Sequence, residues 1–502
     1  MIPGFVSEEE KTMNYEYEWD DIPVEKFRFV QRNQILRDEK PQTKPIGYFK
    51  DAMLRFVKNK GSVVCFGVIL LLIIYALTVP VFSKTKGTFK DSYYSYALPS
   101  LSPRRNLGFW NGCSVIEVNS QGYDFYSAIP GAIVKDYGKV EKNVAGRPQT
   151  FYKISVDSYA KVGYEILLLT KGEYEAALTY EKDTGIQLFY PMIDQSRVKN
   201  RSYKEDGNGW FLTDQKGNAI RDKEGNLQPV YLEDETSPDG YAYSIVKMKG
   251  SQYQVRVLYK DWFVYKNGFM PNFIFGADQF GYDIFSRLAI AARLSLVLSV
   301  CIASINLIIG IVIGALEGYY GGRFDLIMER IKEILYQIPT IVFMTLFQIY
   351  FARKLGAVLT MFVCFIFFGW IAASSTVRAQ FYRFKGQEYV MAARTLGAKD
   401  RRLIFRHILP NAAGFIVTTS VLSIPGFIFS EANLTFLGIV NLQSSNVTSV
   451  GTMLNNGQSA LATYPHCVLF PAAFISILLI CFNIFGNGLR DAFNPSLRGI
   501  ES

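Results

Sequence analysis

The sequence predicts an α-helical membrane protein that crosses the bilayer six times and carries an inserted, mostly β domain on the external side. Three observations support this fold class. Hydrophobic residues make up 49% of the 502 residues and are concentrated in separate runs, each close to the roughly 20 residues that span a hydrocarbon layer. Basic residues are distributed unevenly between the runs. Segment 84–275, between the first two runs, is too long for a loop without structure of its own.

Six apolar runs are the predicted transmembrane helices. The first is not a signal peptide, because a long tail precedes it and no small-residue cleavage site follows it. The predicted spans are residues 62–82, 294–316, 334–351, 356–377, 412–430 and 467–485.

The inserted segment 84–275 has the composition of β structure. It is rich in Tyr, Val and Ile, and turn signals such as DGNG, QKGN and KEGN interrupt it. The alternating run YAYSIVKMKGSQYQVRVLYKDWFVY at 241–265 predicts paired strands.

The distribution of Lys and Arg orients the spans. The connection between spans four and five is strongly basic, whereas 431–466 contains no Lys or Arg. Basic loops stay in the cytoplasm, so both termini are predicted to be cytoplasmic in a multi-pass plasma-membrane protein. The net charge of +9 therefore reflects topology and not nucleic-acid binding.

These boundaries define a domain order. An interfacial helix is predicted at 48–61, because apolar residues lie near one face and lysines on the other; a cytosolic cap is the alternative. The predicted order is a cytoplasmic tail (1–47), the interfacial helix with span one (48–83), the external domain (84–275), the membrane core with spans two to six and the cytoplasmic loop 388–411 (276–487), and a cytoplasmic tail (488–502).

The sequence contains no recognisable catalytic or metal motif. GxxxxGK[ST], HExxH and GxSxG are absent, the cysteines form no CxxC pair, and His407 and His466 are the only histidines. Within or beside the spans, the polar residues include Asn306, Glu317 and Glu431. A proton-coupled carrier would usually bury more ionisable groups at mid-membrane. We therefore expect no catalytic residue, no metal site and no ATP site in this chain.

The cytoplasmic loop 388–411 reads EYVMAARTLGAKDRRLIFRHILPN. It predicts two short helices, with small residues on the surface of the first. Gly397 ends the first helix, Asp400 caps the second and Pro410 marks the entry to span five. On charge alone, a basic, solvated connecting loop is the alternative.

The spacing of this loop resembles the EAA loop of ABC importer permeases, in which Glu-Ala-Ala is followed by Gly and then by Ile-Leu-Pro. Met391 stands where the family has Glu, a departure from the pattern. The residues that match are Ala392, Ala393, Gly397, Ile408, Leu409 and Pro410.

Further blocks resemble the C subunits of dipeptide and oligopeptide permeases. The segment GADQFGYDIFSRLAIAARLSL (276–296) is similar to a motif before their second span, apart from Ala277 and Tyr282. The other blocks are GYYGGRFD (318–325), IPT (338–340), EANLTFLG (431–438) and FNIFGNGLRDAFNPSLRG (482–499).

The resemblance implies a peptide-importing permease subunit that carries out no covalent chemistry. Its partners would be a homologous second permease, two cytoplasmic ABC ATPases that bind ATP and Mg, an external peptide-binding protein, the peptide and the lipid bilayer, with no nucleic acid. The implied ATPase-coupling residues are Glu388, Met391, Ala392, Ala393, Leu396 and Gly397.

Two other functions stay open on the sequence. The first is a permease of the related branch for nickel or another small solute, which shares these blocks. The second is a signalling or adhesion protein with an external sensor domain, which would not need ATPases. Glu431, at the predicted outer end of span five, is a candidate contact of the translocation pathway; a solvated carboxylate at the membrane surface is the alternative.

Overall fold

The computed structural model describes residues 48–101, 110–144, 147–193, 202–205, 210–213, 230–232, 243–444 and 447–493. The predicted tail 1–47, the end of the C-terminal tail and the turn signals DGNG, QKGN and KEGN lie outside these residues. The chain divides into two units, Met1–Asp51 and Ala52–Ser502, and the architecture below is that of the second.

The first two helices are α1 (Tyr48–Lys58) and α2 (Lys60–Phe82). The apolar side of α1 is divided: Phe56 is buried and its ring meets that of Phe485 at 5.6 Å, whereas Met53 and Val57 are exposed. Exposed apolar side chains beside lysines are typical of a helix at a membrane interface. Its lipid contact stays a prediction.

The inserted domain contains two antiparallel sheets and a separate hairpin. One sheet has the order β1-β3-β2, the other β4-β9-β5 with β8 also paired to β9, and β6 pairs with β7. The elements are β1 (Cys113–Val118), α3 (Ser120–Ser127), β2 (Ile133–Val144), β3 (Arg147–Asp157), β4 (Tyr164–Leu169), α4 (Lys171–Thr184), β5 (Phe189–Tyr190), β6 (Ser202–Glu205), β7 (Trp210–Thr213), β8 (Val246–Lys249), β9 (Gln252–Leu258) and α5 (Tyr259–Asn267).

The prediction of paired strands over 241–265 is correct for its first part only. β8 and β9 form a hairpin, with Gly250 at φ 64° in the connection. After Leu258 the chain becomes helix α5, which buries Trp262 and Phe263. That i, i+1 pair, with Tyr259 one turn earlier, lies on one face of a helix but on both faces of a strand. The aromatic core of the domain therefore required a helix here.

The membrane core follows in eight helices within the described residues. Five of the helices in the described part of the chain are long and apolar enough to cross a membrane, and a sixth span results if the bent pair α7–α8 counts as one. The predicted fold class, six spans with a β-containing insertion between the first two, is confirmed. The helices are α6 (Ile284–Tyr320), α7 (Gly322–Tyr336), α8 (Thr340–Leu355), α9 (Ala357–Lys385), α10 (Glu388–Thr395), α11 (Asp400–Phe436), α12 (Val450–Gln458) and α13 (His466–Phe493).

The predicted third span, 334–351, is not a continuous helix. α7 and α8 meet at a break of 77° that contains Pro339. Proline lacks the N–H of a helical hydrogen bond and pushes the preceding residue towards extended backbone. The connection expected between spans two and three is consequently helical, and α7 runs in a different direction from α8.

The second helix of loop 388–411 is not a separate element. It is the first part of α11, which continues through Pro410 to Phe436. Residues Leu403–Ile408 form a π-helical turn just before the proline. A wider turn accommodates a residue that cannot donate its backbone hydrogen bond. The second part of the loop and the spanning helix are therefore one continuous helix.

The segment before α6 joins the inserted domain to the membrane core. Asp283 accepts the backbone N–H of Phe285 at 3.1 Å and the hydroxyl of Thr85 at 2.6 Å. Burial raises the pKa of the Asp283 carboxyl above its usual range. Arg287 donates to the carbonyl of Gly87 at 3.1 Å and to that of Ser444. One side chain thus ties together three chain segments.

We expect Arg287→Met to destabilise this joint. The substitution leaves the buried carbonyl of Gly87 without its guanidinium donor, at about 1–3 kcal/mol, and removes the contact with the exposed Ser444. The apparent Tm of the purified protein in detergent should fall by several degrees. Arg293→Met, at an exposed position of the same helix, is the matched control. Equal Tm values for the two variants would contradict the assignment.

Candidate coupling and translocation site

Residues 388–399, here called the coupling segment, form a short helix and a turn. Val390 is fully buried, whereas Met391 is 55% and Leu396 is 88% exposed. Gly397 follows with φ 82°, a conformation that glycine adopts at little cost. The segment is therefore anchored on one side and presents large apolar side chains on the other.

The predicted coupling residues do not all lie on the same surface. Glu388, Met391, Ala392, Leu396 and Gly397 are exposed. Ala393 is half-buried and packs against a cluster that joins α6, α9, α10 and α11. The buried members of that cluster are Ala315, Tyr319, Val377, Phe381, Val390, Leu403, Ile404, Ile408, Ala412 and Ile416.

A buried ion pair lies beside this anchor. Lys332 of α7 donates to the carboxylate of Glu317 in α6 at 3.0 Å, and both side chains are at most 3% exposed. Ser374 of α9 donates to the same carboxylate oxygen at 3.0 Å. Charges buried to this extent persist only when they are paired. Three helices are therefore fixed at one point.

A second ion pair extends the first. Arg378 binds the carboxylate of Asp325 through two nitrogens, at 2.5 and 2.8 Å, and Tyr382 donates to Asp325 at 2.7 Å. Glu329 contacts Lys332 at 2.5 Å and lies 3.6 Å from Arg378. Glu317, Asp325, Glu329, Lys332 and Arg378 are called the charge cluster below.

The charge cluster already contains the cations that its acids need. Oxygens of Glu317, Asp325 and Glu329 lie within 4.8 Å of one another, a spacing that a metal ion tolerates. However, Lys332 and Arg378 make ion pairs with all three. The arrangement is accordingly a salt-bridge network that holds α7 against α6 and α9.

The coupling segment is tied to the end of α6 by two polar contacts. Tyr319 donates to Asp400 at 2.6 Å, and Arg394 contacts the Tyr319 hydroxyl at 3.3 Å. The prediction that Asp400 caps the second helix is wrong. Lys399 occupies the cap position, because the Asp400 side chain is engaged by Tyr319 instead.

Sequence reasoning missed most of the charge cluster. Glu317 is identified only as a polar residue within or beside a span, and Arg378 is one of the basic residues between spans four and five. No role is predicted for Asp325, Glu329 or Lys332. The signal in the sequence was the spacing of Asp325, Glu329 and Lys332, which are four and three residues apart. Residues at these spacings lie on the same face of a helix. The opposite face of α7 carries exposed Leu326 and Ile327, an inverted amphipathic pattern.

Glu431 is buried. It is 1% exposed, and its carboxylate accepts the Ser295 hydroxyl at 2.6 Å. Thr435, one turn later, contacts the other oxygen at 3.4 Å. The alternative of a solvated surface carboxylate is therefore wrong. A contact with the translocated solute stays a prediction, and it requires this packing to open.

A cavity of about 220 Å³ lies between α6, α9 and α11. The lining is small and uncharged, with Ala, Gly, Leu, Ile and Phe beside hydroxyl and amide groups. The polar lining residues are Asn306, Thr376, Thr419, Ser420 and Ser423.

Comparison with known proteins identifies the family. A model for the inner-membrane component of binding-protein-dependent transport systems matches residues 306–499, and one for the N-terminal transmembrane domain of oligopeptide transport permease C matches residues 47–103. The oligopeptide transport system permease protein of Bacillus subtilis is 42% identical over 224 residues, which is 45% of this chain and 72% of that protein. The chain belongs to the oligopeptide and dipeptide permease family. The dipeptide transport system permease protein of the same organism is 40% identical over 225 residues, which cover 45% of this permease and 69% of the Bacillus subtilis protein.

Neither of these two family models covers residues 104–305, which include most of the inserted domain. Among solved structures, the permease is similar to a methionine ABC transporter in an inward-facing conformation, with TM-score 0.32 and 15% identity over 41% of this chain and 96% of the other. The two family models together match the first span and residues 306–499 of this permease, and they leave most of the insertion unmatched.

Proposed function

We propose that this permease is the transmembrane subunit of an ATP-driven importer of oligopeptides or dipeptides. It pairs with a homologous permease chain, two ATPases bind the cytoplasmic side and an external binding protein delivers the peptide. The relatives named above are oligopeptide and dipeptide permeases, which favours peptide over nickel as the solute. ATP and Mg bind to the ATPases, and this chain performs no covalent chemistry.

The exposed surface of the coupling segment carries this proposal. Leu396 and Met391 expose large apolar side chains beside the turn at Gly397, and the buried Val390 anchors their helix. Exposed apolar groups on a well-anchored segment mark a protein–protein contact. Burial of these two side chains in a groove on an ATPase contributes about 1.5–3 kcal/mol each.

The contacts around the segment support a route for the motion. Closure of the ATPase dimer displaces the coupling segment, and α11 moves with it because Asp400–Phe436 is one helix. The Tyr319–Asp400 hydrogen bond passes the displacement to α6. The charge cluster carries it on to α7 and α9. Two packings of these helices then give alternating access.

We expect Ala392→Glu to weaken ATPase binding. Ala392 is exposed and lies beside Leu396 on the coupling segment, so a carboxylate there would be desolvated in the contact. The complex should be purified from cells that produce all subunits, and ATPase stoichiometry and ATP-dependent peptide uptake measured in proteoliposomes. Arg401→Gln, which makes the same change of net charge at an exposed position outside the coupling segment, is the control for charge alone. Full ATPase stoichiometry and wild-type uptake for Ala392→Glu would contradict the proposed docking surface.

We expect the inserted domain to guide the binding protein, because it provides most of the predicted external surface. Replacing residues 102–271 by a short Gly/Ser linker retains the joint, since Ser100 donates its backbone N–H to the Phe273 carbonyl at 2.9 Å. This variant should bind the binding protein at least several-fold more weakly while retaining its ATPases. Surface plasmon resonance with the reconstituted complex measures this affinity. An unchanged affinity would assign the domain another role.

A further inference from the structure

The uncharged cavity lies near the middle of three predicted spans. Asn306 of α6, Gly369 of α9 and Ser420 of α11 face it, and each is close to the centre of spans 294–316, 356–377 and 412–430. Its volume of about 220 Å³ is ample for several waters or a short stretch of extended chain. The cavity therefore lies about half-way along the three predicted spans.

Asn306 is the one lining side chain of the cavity with an unused polar atom. It is 2% exposed, its Nδ2 donates to the Phe365 carbonyl at 3.3 Å, and its Oδ1 has no hydrogen-bond partner within the described part of the chain. The Phe365 carbonyl fixes the amide orientation, because it requires a donor. Leaving a buried oxygen unsatisfied costs about 1–3 kcal/mol. The atom is enclosed by protein in this structure, so a ligand in the cavity reaches it when the packing around Asn306 loosens. A hydrogen bond donated to Oδ1 then removes this cost.

The hydroxyls of the cavity also act as acceptors. Each uses its only proton within its own helix: Thr376 donates to the Ala372 carbonyl at 3.0 Å and Ser420 to that of Ile416 at 3.0 Å. Thr419 and Ser423 do the same at 2.9 and 2.7 Å. Each hydroxyl oxygen can still accept a hydrogen bond through its lone pairs, but it has no further proton to donate. The polar lining is thus complementary to a donor.

We propose that this cavity accepts hydrogen bonds from backbone N–H groups of the peptide during translocation, with Asn306 Oδ1 as the principal acceptor. The inference rests on the proposed peptide-import function. No Asp or Glu lines the cavity within the described residues, so an ammonium group would lose its hydration without gaining a counter-charge. A neutral backbone N–H has no such penalty. Because every peptide carries backbone N–H groups, the contact is independent of side-chain sequence.

The test combines a permease variant with a modified peptide. In the reconstituted transporter, initial uptake is measured for one peptide and for a series in which each backbone amide in turn is N-methylated, which removes its donor. In the wild type, methylation at one or two positions should reduce uptake about fivefold to tenfold, the effect of one lost hydrogen bond. In Asn306→Ala, the same methylation should cause no further loss. Any effect on the external binding protein is common to both transporters and cancels from the comparison.

Ser304→Ala is the matched control, because its hydroxyl bonds within the same helix at an exposed position. It should retain the full wild-type effect of methylation. Ser420→Ala leaves the buried Asn306 amide in place and should reduce the effect of methylation on uptake. This variant tests the inference if Asn306→Ala does not assemble. An undiminished methylation effect in the assembled Asn306→Ala transporter, or in Ser420→Ala if that variant alone assembles, would overturn the inference. Absence of any peptide uptake by the wild type would instead remove the proposed function.

Discussion

Replacing Gly397 with valine is expected to uncouple ATP hydrolysis from peptide uptake. Gly397 has φ 82°, and nothing lies within 4 Å of the position that a Cβ would occupy. The cost is therefore backbone strain and not collision, about 1–3 kcal/mol for a side chain held at positive φ. The turn relieves that strain by changing its angle. Leu396 on one side of the turn and Asp400 on the other then lose their relative position.

The measurement is peptide-stimulated ATPase activity together with uptake in proteoliposomes. For Gly397→Val we expect basal hydrolysis without stimulation and uptake at least tenfold lower. Gly386→Val is the matched control, because Gly386 is also exposed and open but has φ −92°. Wild-type stimulation and uptake for Gly397→Val would show that the turn does not transmit the motion.

Lys332→Met is expected to have the largest effect on stability. It removes the ammonium 3.0 Å from Glu317, a carboxylate that is 0% exposed and would keep only the Ser374 hydroxyl. Breaking a buried pair from one side costs about 3–5 kcal/mol, because the remaining charge has no solvent. The folded yield should fall sharply, and the surviving protein should have a much lower apparent Tm.

The double variant Lys332→Met with Glu317→Gln separates charge from packing. It contains no unpaired charge at this point, so it should recover most of the lost stability. Arg330→Met is the control on the same helix, since its pair with Glu333 is exposed and contributes no more than about 1 kcal/mol. A double variant as unstable as Lys332→Met alone would show that the buried charge is not the cause. Fluorescence-detected size exclusion after heating provides the comparison.

The inserted domain illustrates how far local pattern extends. Alternation correctly predicted the β8–β9 hairpin, because the two faces of a strand are visible in the sequence. The same run continues through Tyr259, Trp262 and Phe263, which have the aromatic composition typical of strands but fold as a helix. Aromatic composition does not decide between strand and helix, although the adjacent pair Trp262–Phe263 departs from the alternation of a strand with one buried face. The aromatic core around Tyr94 and Tyr159 made that choice.

Local chemistry in the sequence determined the apolar spans, the turn at Gly397 and the family resemblance of the loop, because each depends on residues near one another along the chain. Pairs between helices were decided only by tertiary structure. Glu317 meets Lys332, Asp325 meets Arg378, and Glu431 is buried on Ser295. Whether such a charge is solvated, paired or left with an unused lone pair, as in Asn306, depends on how the helices cross. Helix crossing is set by side-chain packing over the whole core, which spacing along one helix does not contain.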